Sequence, residues 1–257
     1  MTALLYVVAF AFGAVLGSFL NVCIHRLPRG MSIVKPPSHC PRCGSTIRFY
    51  DNIPLVSFLL LRGRCRTCGA PISLRYPLVE ALTGMVAVGS LFAFGLRLEA
   101  AVAFGFLAAL EVVTFVDLEH RIIPDEISLG GMVVGLLLAA VGVTIPFKEA
   151  LLGSLVGGGG LWLVAFVYEA VAKREGMGGG DIKLMGMIGA FLGYKGALFA
   201  IFGGALLGAF VGGALMVAKG ADSKYAIPFG PFLSLGAAVY LFAGEGLVSW
   251  YLTLLRG

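Results

Sequence analysis

Charge is what this chain has least of. Of its 257 residues, 13% are Asp, Glu, Lys or Arg and 59% are hydrophobic, whereas a soluble domain carries roughly 25% charged residues. The mean hydropathy is +0.96. The missing charge is concentrated in long uncharged runs, which excludes an ordinary soluble globule and marks a polytopic membrane protein. Basic residues are also missing ahead of the first apolar run, Thr2 to Cys23. A signal peptide would carry them there, with a shorter apolar stretch and a small-residue cleavage site behind. Here they follow instead, at His25, Arg26 and Arg29, so this run is expected to be a retained first transmembrane helix. No G-x-G-x-x-G follows a strand-like segment, and no Rossmann-type cofactor site is indicated.

What is present is a series of apolar runs near the 20 residues, roughly, that a bilayer requires. Eight candidates stand at 2–24, 77–96, 99–116, 127–145, 149–171, 183–194, 196–218 and 230–255. The sixth is short enough to be tilted, broken or interfacial. The 38 glycines suit this class, because small residues let transmembrane helices approach closely. The run from Gly157 to Gly160 reads as helix packing rather than phosphate binding. The net charge of +5 sits mostly between apolar runs, where it sets orientation rather than binding nucleic acid. The long polar excursion between the first two runs holds most of the arginines. If it is cytoplasmic, Arg121, Lys173, Arg174, Lys183, Lys219 and Lys224 fall on the same side by alternation. Only Arg97, Lys148, Lys195 and Arg256 oppose them, which places both termini outside.

That excursion also holds two C-x-x-C-G turns, Cys40-Pro-Arg-Cys43-Gly and Cys65-Arg-Thr-Cys68-Gly. Each turn brings two sulfurs to one side of a tight loop, and glycine next to it tolerates the backbone this needs. Two such turns supply four thiolates for a tetrahedral, closed and therefore structural zinc site. Two disulfides or a redox motif are the alternatives, and a cytoplasmic location disfavours stable disulfides. Cys23, at the end of the first run, reads as a small buried apolar residue. His39, next to Cys40, is in reach of a metal site there.

Carboxylates at membrane depth are costly and are functional candidates. Four qualify: Glu80, Glu111, Asp117 and Asp181. Asp181 ends Gly176-Met-Gly-Gly-Gly-Asp181 before a short apolar run, and Asp117 ends the third run. On the alternation above both lie at the cytoplasmic edge, at one depth. Two carboxyls sharing a site cannot both ionise easily, so one acts as base on a water while the other donates to a peptide carbonyl. The plainer readings are a helix N-cap for Asp181, a solvated loop carboxylate for Asp117, and a cap for Asp125. Intramembrane carboxylates beside a glycine-broken helix also suit an ion pathway.

Read in order, the motifs form a larger pattern. Gly17-Ser-Phe-Leu-Asn-Val-Cys-Ile-His-Arg-Leu-Pro28 precedes the paired C-x-x-C turns and Arg75-Tyr-Pro-Leu-Val-Glu80. Asp117 with Ile123-Pro-Asp125 follows, then Gly178-Gly-Gly180-Asp181-Ile-Lys183. Over essentially its whole length the chain resembles the bacterial type IV prepilin peptidases, G-x-G-D intramembrane aspartic proteases. The resemblance implies an all-α polytopic fold of about eight transmembrane helices. It divides the chain into a first helix at 1–24, a zinc-bound cytoplasmic domain at 25–76 and a seven-helix protease domain at 77–257. It implies catalysis by Asp117 and Asp181, with Gly178, Gly180, Asp125 and Lys183 as supporting motif residues and Ile123 where relatives have leucine. The metal would be zinc on Cys40, Cys43, Cys65 and Cys68. The implied substrates are prepilins and pseudopilins, cleaved after a glycine at the cytoplasmic face of the bacterial inner membrane. Many members also methylate the new N-terminus with S-adenosylmethionine, and the cysteine module accompanies that activity. The sequence assigns neither the residues that bind the methyl donor nor an oligomeric state.

Overall fold

The computed structural model describes residues 2–173, 177–219 and 228–256. Among them the only β contacts are two isolated bridges, and the fold is built from helices. These are α1 (Thr2–Arg26), α2 (Val56–Leu60), α3 (Arg75–Phe94), α4 (Leu98–His120), α5 (Asp125–Ala140), α6 (Phe147–Ser154), α7 (Gly160–Ala172), α8 (Gly179–Lys219) and α9 (Gly230–Arg256). The turn-rich connection read at 219–229 and the start of the Gly176 motif fall largely outside the described residues, at 220–227 and 174–176.

Helix ends follow local chemistry. In α1 the last turn carries His25 and Arg26, cations that suit the negative end of the helix dipole. A short 3-10 turn, Leu27–Arg29, with Gly30 at φ 62° then stops the chain. In α5 the first turn carries Asp125 and Glu126 behind Pro124, the reverse arrangement at the positive end.

The predicted runs and the helices coincide with two refinements. α6 and α7 form one span joined by a π-helical turn, Leu155–Gly159. The sixth and seventh runs are the two arms of α8, which breaks at Gly193 (φ 69°, ψ −177°). Only glycine takes that backbone at little cost. By length and composition, five helices among the described residues can cross a membrane, and the longest is this broken one. Phe92, Phe202 and Phe210 are 78%, 71% and 76% exposed, an outward apolar surface that belongs against lipid rather than water.

The chain divides within α4 into two compact units, Met1–Val112 and Val113–Gly257. In the first, α1 lies on α3. A Cβ on Gly13 would stand 2.6 Å from the Thr83 carbonyl, and one on Gly17 would stand 2.8 Å from Glu80 Cα. Asn21 closes the seam by donating to the Gly17 and Tyr76 carbonyls at 3.3 and 3.1 Å. Deeper in the same unit, Thr83 Oγ1 donates to Glu111 at 3.0 Å.

In the second unit α8 is the axis, touched by α5, α6, α7 and α9. The closest approach is Gly153 on α6 against Gly189 on α8, where a Cβ on either would collide with the other's backbone. Gly157 and Gly158 continue this contact along α8, opposite the Met185 and Ile182 carbonyls. The first two glycines of the run therefore serve packing, as expected, while Gly159 and Gly160 face open space. Replacing Gly189 by alanine should lower stability by about 1–3 kcal/mol, the usual cost of overpacking. Gly105→Ala, where nothing lies within 4 Å of the new Cβ, should be neutral or better. Reversible unfolding in mixed detergent micelles compares the two.

Candidate functional site

The cysteine loop folds as two copies of one turn. In the first, Cys40 N–H donates to Ser45 O (2.9 Å) and Gly44 N–H to Cys40 O (2.8 Å). In the second, Cys65 N–H donates to Ala70 O (2.8 Å) and Gly69 N–H to Cys65 O (2.9 Å). Gly44 and Gly69 sit at φ 70° and 67° with open space where a Cβ would go. They are needed for backbone shape, not for room. The turns face each other, and the four sulfurs lie within 4.8 Å of one another, Cys40 and Cys68 at 3.9 Å. Tetrahedral bonds of about 2.3 Å set sulfurs about 3.8 Å apart, so the quartet fits one metal ion. A metal ligand must be a thiolate, and the clustered thiols compete for charge, so that, against the lowering pull of the Ala70 backbone, burial and its three cysteine neighbours push Cys68 up to about 11. The Ser45 hydroxyl and backbone pull the Cys43 thiol down to about 6. The Cys68 and Thr67 backbone lowers Cys65. Nearby, Arg66 holds Asp51 in a two-pronged ion pair at 2.6–3.0 Å, which keeps the Asp51 carboxyl below its usual range. His39 Nδ1 lies 3.1 Å from the Pro37 carbonyl, and His39 is not part of the sulfur cluster.

The aspartates belong to the second unit. Asp117 occupies the last turn of α4 and is 5% exposed. Its Oδ2 accepts the backbone N–H of Gly230, the first residue of α9, at 2.9 Å. The opening amides of a helix have no partner within it and attract anions, so this carboxylate is not a solvated loop group. A Cβ on Gly230 would stand 2.7 Å from Asp117 Oδ2, so any larger residue would have to displace the carboxylate.

Asp181 lies in the first turn of α8, two residues inside its start at Gly179. That is past the N-cap position, which corrects the simplest alternative for it. Asp117 stands near enough for its charge to be felt at the buried Asp181 carboxyl. Ile123, from the loop between α4 and α5, lies between their supports. Positions for a Cβ on Gly180 and on Gly230 fall 3.0 Å and 3.4 Å from its side chain. On the outer side, Lys183 Nζ holds both oxygens of Asp125 at 2.7 and 2.8 Å. Asp125 is thus an anchor between the loop and α8 and makes no side-chain cap.

Of the supporting glycines, Gly180 is the more tightly placed, since a Cβ there would press on Ile123 at 3.0 Å, whereas one on Gly178 makes ordinary contact with Asp181 at 3.8 Å. Gly230 is the site residue that sequence reasoning missed. Its trace was the segment Pro228-Phe-Gly-Pro231, which announces a turn but not what the freed amide meets.

Sequence comparison bears on this geometry. A profile of the bacterial peptidase A24 N-terminal domain matches residues 11–94, and one of the type IV leader peptidase family matches 102–213. A protein of Xanthomonas campestris pv. campestris is 39% identical over 95% of this chain and 93% of its own length. The chain belongs to the type IV leader peptidase family. Other relatives in the family include proteins of Aeromonas hydrophila, 35% identical over 97% of this chain and 94% of its own, and of Pseudomonas aeruginosa, 35% identical over 93% and 91%. All three are named prepilin leader peptidase/N-methyltransferase. No solved structure matches the chain. The first profile covers both cysteine turns, and the second covers Asp117 and Asp181.

The four-sulfur geometry predicts one bound metal ion per chain. Elemental analysis of the purified protein should find it, and Cys40→Ser together with Cys65→Ser should remove it. The same double variant should lose amide protection between residues 38 and 72 on hydrogen exchange.

Proposed function

We propose that this chain is an intramembrane aspartic endopeptidase that removes the leader peptide of type IV prepilins and pseudopilins after a glycine. It works at the cytoplasmic face of a bacterial inner membrane and methylates the new N-terminus with S-adenosylmethionine. The observation that carries the reading is the pairing of Asp117, anchored by the Gly230 amide, with Asp181 across Ile123. The names of relatives that match over nearly the whole chain support both activities.

The pair holds one proton and one water. Asp117 is fixed through Oδ2, which leaves Oδ1 as the base. It takes a proton from the water as the oxygen attacks the scissile carbonyl, while Asp181 gives its proton to the carbonyl oxygen. Collapse of the tetrahedral diol breaks the C–N bond. The leaving amine takes up a proton, and the pair returns to its starting charge. The anchoring of Asp117 and the Lys183–Asp125 bridge set both carboxyls before substrate arrives, and such positioning carries much of a catalytic barrier.

Functionally the chain divides into the first helix at 1–24, the metal-stapled cytoplasmic segment at 25–76 and the protease helices at 77–257. Zinc is the ion that four thiolates in tetrahedral reach select, and with no open position its role is to staple the loop. S-adenosylmethionine supplies a methyl group on a sulfonium, transferred to the neutral amine of the new N-terminus with loss of one proton. The basic loops orient the large segment toward the cytoplasm.

Purified protein incubated with a model prepilin and read by mass spectrometry tests the reading. Wild type should release the leader, and Asp117→Asn and Asp181→Asn should each slow release by about 10²–10⁴-fold. Undiminished release by both variants would sink the mechanism. A further mass of one methyl group when S-adenosylmethionine is added tests the second activity.

The Gly230 contact makes a separate prediction. Gly230→Ala pushes on Asp117 Oδ2 and should reduce cleavage by about 10²-fold in a folded protein. Gly213→Ala, with nothing near its new Cβ, should cleave as wild type does.

A further inference from the structure

The short helix α2 is built the wrong way round for water. Its one polar side chain, Ser57, is 5% exposed, whereas Val56, Leu59 and Leu60 are 49%, 74% and 77% exposed. Positions i, i+3 and i+4 share a helix face, so these three make a single outward apolar stripe. Ser57 turns inward, accepting the Ile53 N–H at 3.1 Å and donating to the Tyr50 carbonyl at 2.9 Å. Two tethers fix the depth at which the stripe stands. Leu55 N–H donates to Glu80 Oε2 at 2.8 Å, and Glu80 lies five residues inside α3, which starts at Arg75. The 20 residues of α3 rise about 30 Å, the thickness of a hydrocarbon core, and Glu80 stands about 7.5 Å inside its start. On the other side Ser18 Oγ donates to Asn52 Oδ1 at 3.4 Å, and Ser18 lies eight residues before the end of α1 at Arg26. Residues 52–55 therefore run beside the apolar spans of α1 and α3, not beyond them. The backbone suits a place where no water completes a hydrogen bond. The amides of Ile53, Leu55, Ser57, Leu59 and Leu61 all have partners. Leu55 takes a positive-φ turn (φ 61°), which a leucine holds only where its surroundings impose it. The Glu80 bond does so here.

We infer that α2 and the turn before it are a shallow lipid anchor, seated in the leaflet around the end of α1 and the start of α3. Val56, Leu59 and Leu60 meet acyl chains there. Arg62 and Arg64, exposed just after the helix, reach the lipid phosphates, as basic side chains beside apolar ones do at a membrane interface. Lipid is the occupant because the stripe adjoins a surface that lipid already covers. Leu74 and Leu78, at the foot of the α3 span, are exposed as well. Helices that lie on a membrane bury their apolar face by about 5–10 Å, which is the depth the Glu80 tether gives α2. In water the same arrangement would hide a serine and bare two leucines. The anchor holds the cysteine turns against the membrane at α2, in addition to the two helices that bracket them.

Tryptophan fluorescence of the full-length protein in phosphatidylcholine nanodiscs tests this, with the two native tryptophans, Trp162 and Trp250, replaced by phenylalanine. Leu59→Trp and Leu60→Trp each place one indole on the stripe. Phe92→Trp, on the exposed face of the α3 span, is the reference for lipid. Thr46→Trp, exposed beside the first cysteine turn, is the reference for water. On lipids brominated in the upper half of their acyl chains, both leucine variants should lose emission roughly twofold, with blue-shifted maxima like that of Phe92→Trp. Emission from both that is quenched no more than that of Thr46→Trp would overturn the anchor. A red maximum would then place α2 in water, and a blue one would place it under protein. A second measurement uses Leu59→Asp together with Leu60→Asp. These charges should speed amide hydrogen exchange across residues 52–61 by about tenfold while the α3 span stays protected. Unchanged exchange would also overturn the anchor, because a stripe already in water is indifferent to them.

Discussion

Close approach of helix backbones is the constraint on which the rest of this protein depends. In lipid, helices gain nothing from hiding apolar side chains from one another, since the solvent is equally apolar. They associate through tight packing and hydrogen bonds. Glycine supplies the packing at Gly13 and Gly17 on α1 and at Gly153, Gly157, Gly158 and Gly189 around α8. Where backbones touch, polar side chains can span to a neighbouring carbonyl, as Asn21 does to Tyr76 and Ser154 to Gly186 at 3.0 Å. A methyl group at any of these glycines separates two helices and with them the groups those helices carry.

The aspartate site uses the same close packing. A carboxylate buried to 5% exposure is costly without partners, and the partner of Asp117 is a backbone amide at the start of α9. That contact exists because Gly230 has no side chain to fill the space. Gly180 in the same way admits Ile123, and Lys183 closes the outside through Asp125. Three segments far apart in sequence thus converge on one pair of carboxyls, each through a glycine or a short polar bridge. A protease of this type needs no metal at its reacting centre. The metal-fitting quartet serves a different part of the chain, where a loop too small to bury a large core is held by its cysteine turns.

Much of the architecture was legible in the sequence. The apolar runs named the helices, because a segment that must satisfy all its backbone bonds inside lipid has few options besides helix. The cysteine quartet was legible because each C-x-x-C-G turn is local chemistry, set by residues four or five apart. The family pattern ordered the motifs, and Asp117 and Asp181 were both singled out. Less was readable where one residue has several plausible partners. Asp181 could equally have capped its helix, and Asp125 could have done the same. The residues alone did not distinguish the break at Gly193 from a loop between two short helices.

Composition, spacing and motif order by themselves determined that this is a helical membrane protein with a four-cysteine turn pair and two candidate catalytic aspartates. Tertiary structure alone decided what those groups meet. It gave Asp117 the amide of Gly230, more than a hundred positions away, and left Asn21 Oδ1 without a hydrogen-bond partner among the described residues. It also made Gly180, rather than Gly178, the glycine whose added Cβ would press on a neighbour, the Ile123 side chain. The physical reason is that hydropathy and turn chemistry act between neighbours in the chain. The partner of a buried polar group, and the space left for a Cβ, are set by helices that meet only after the chain has folded.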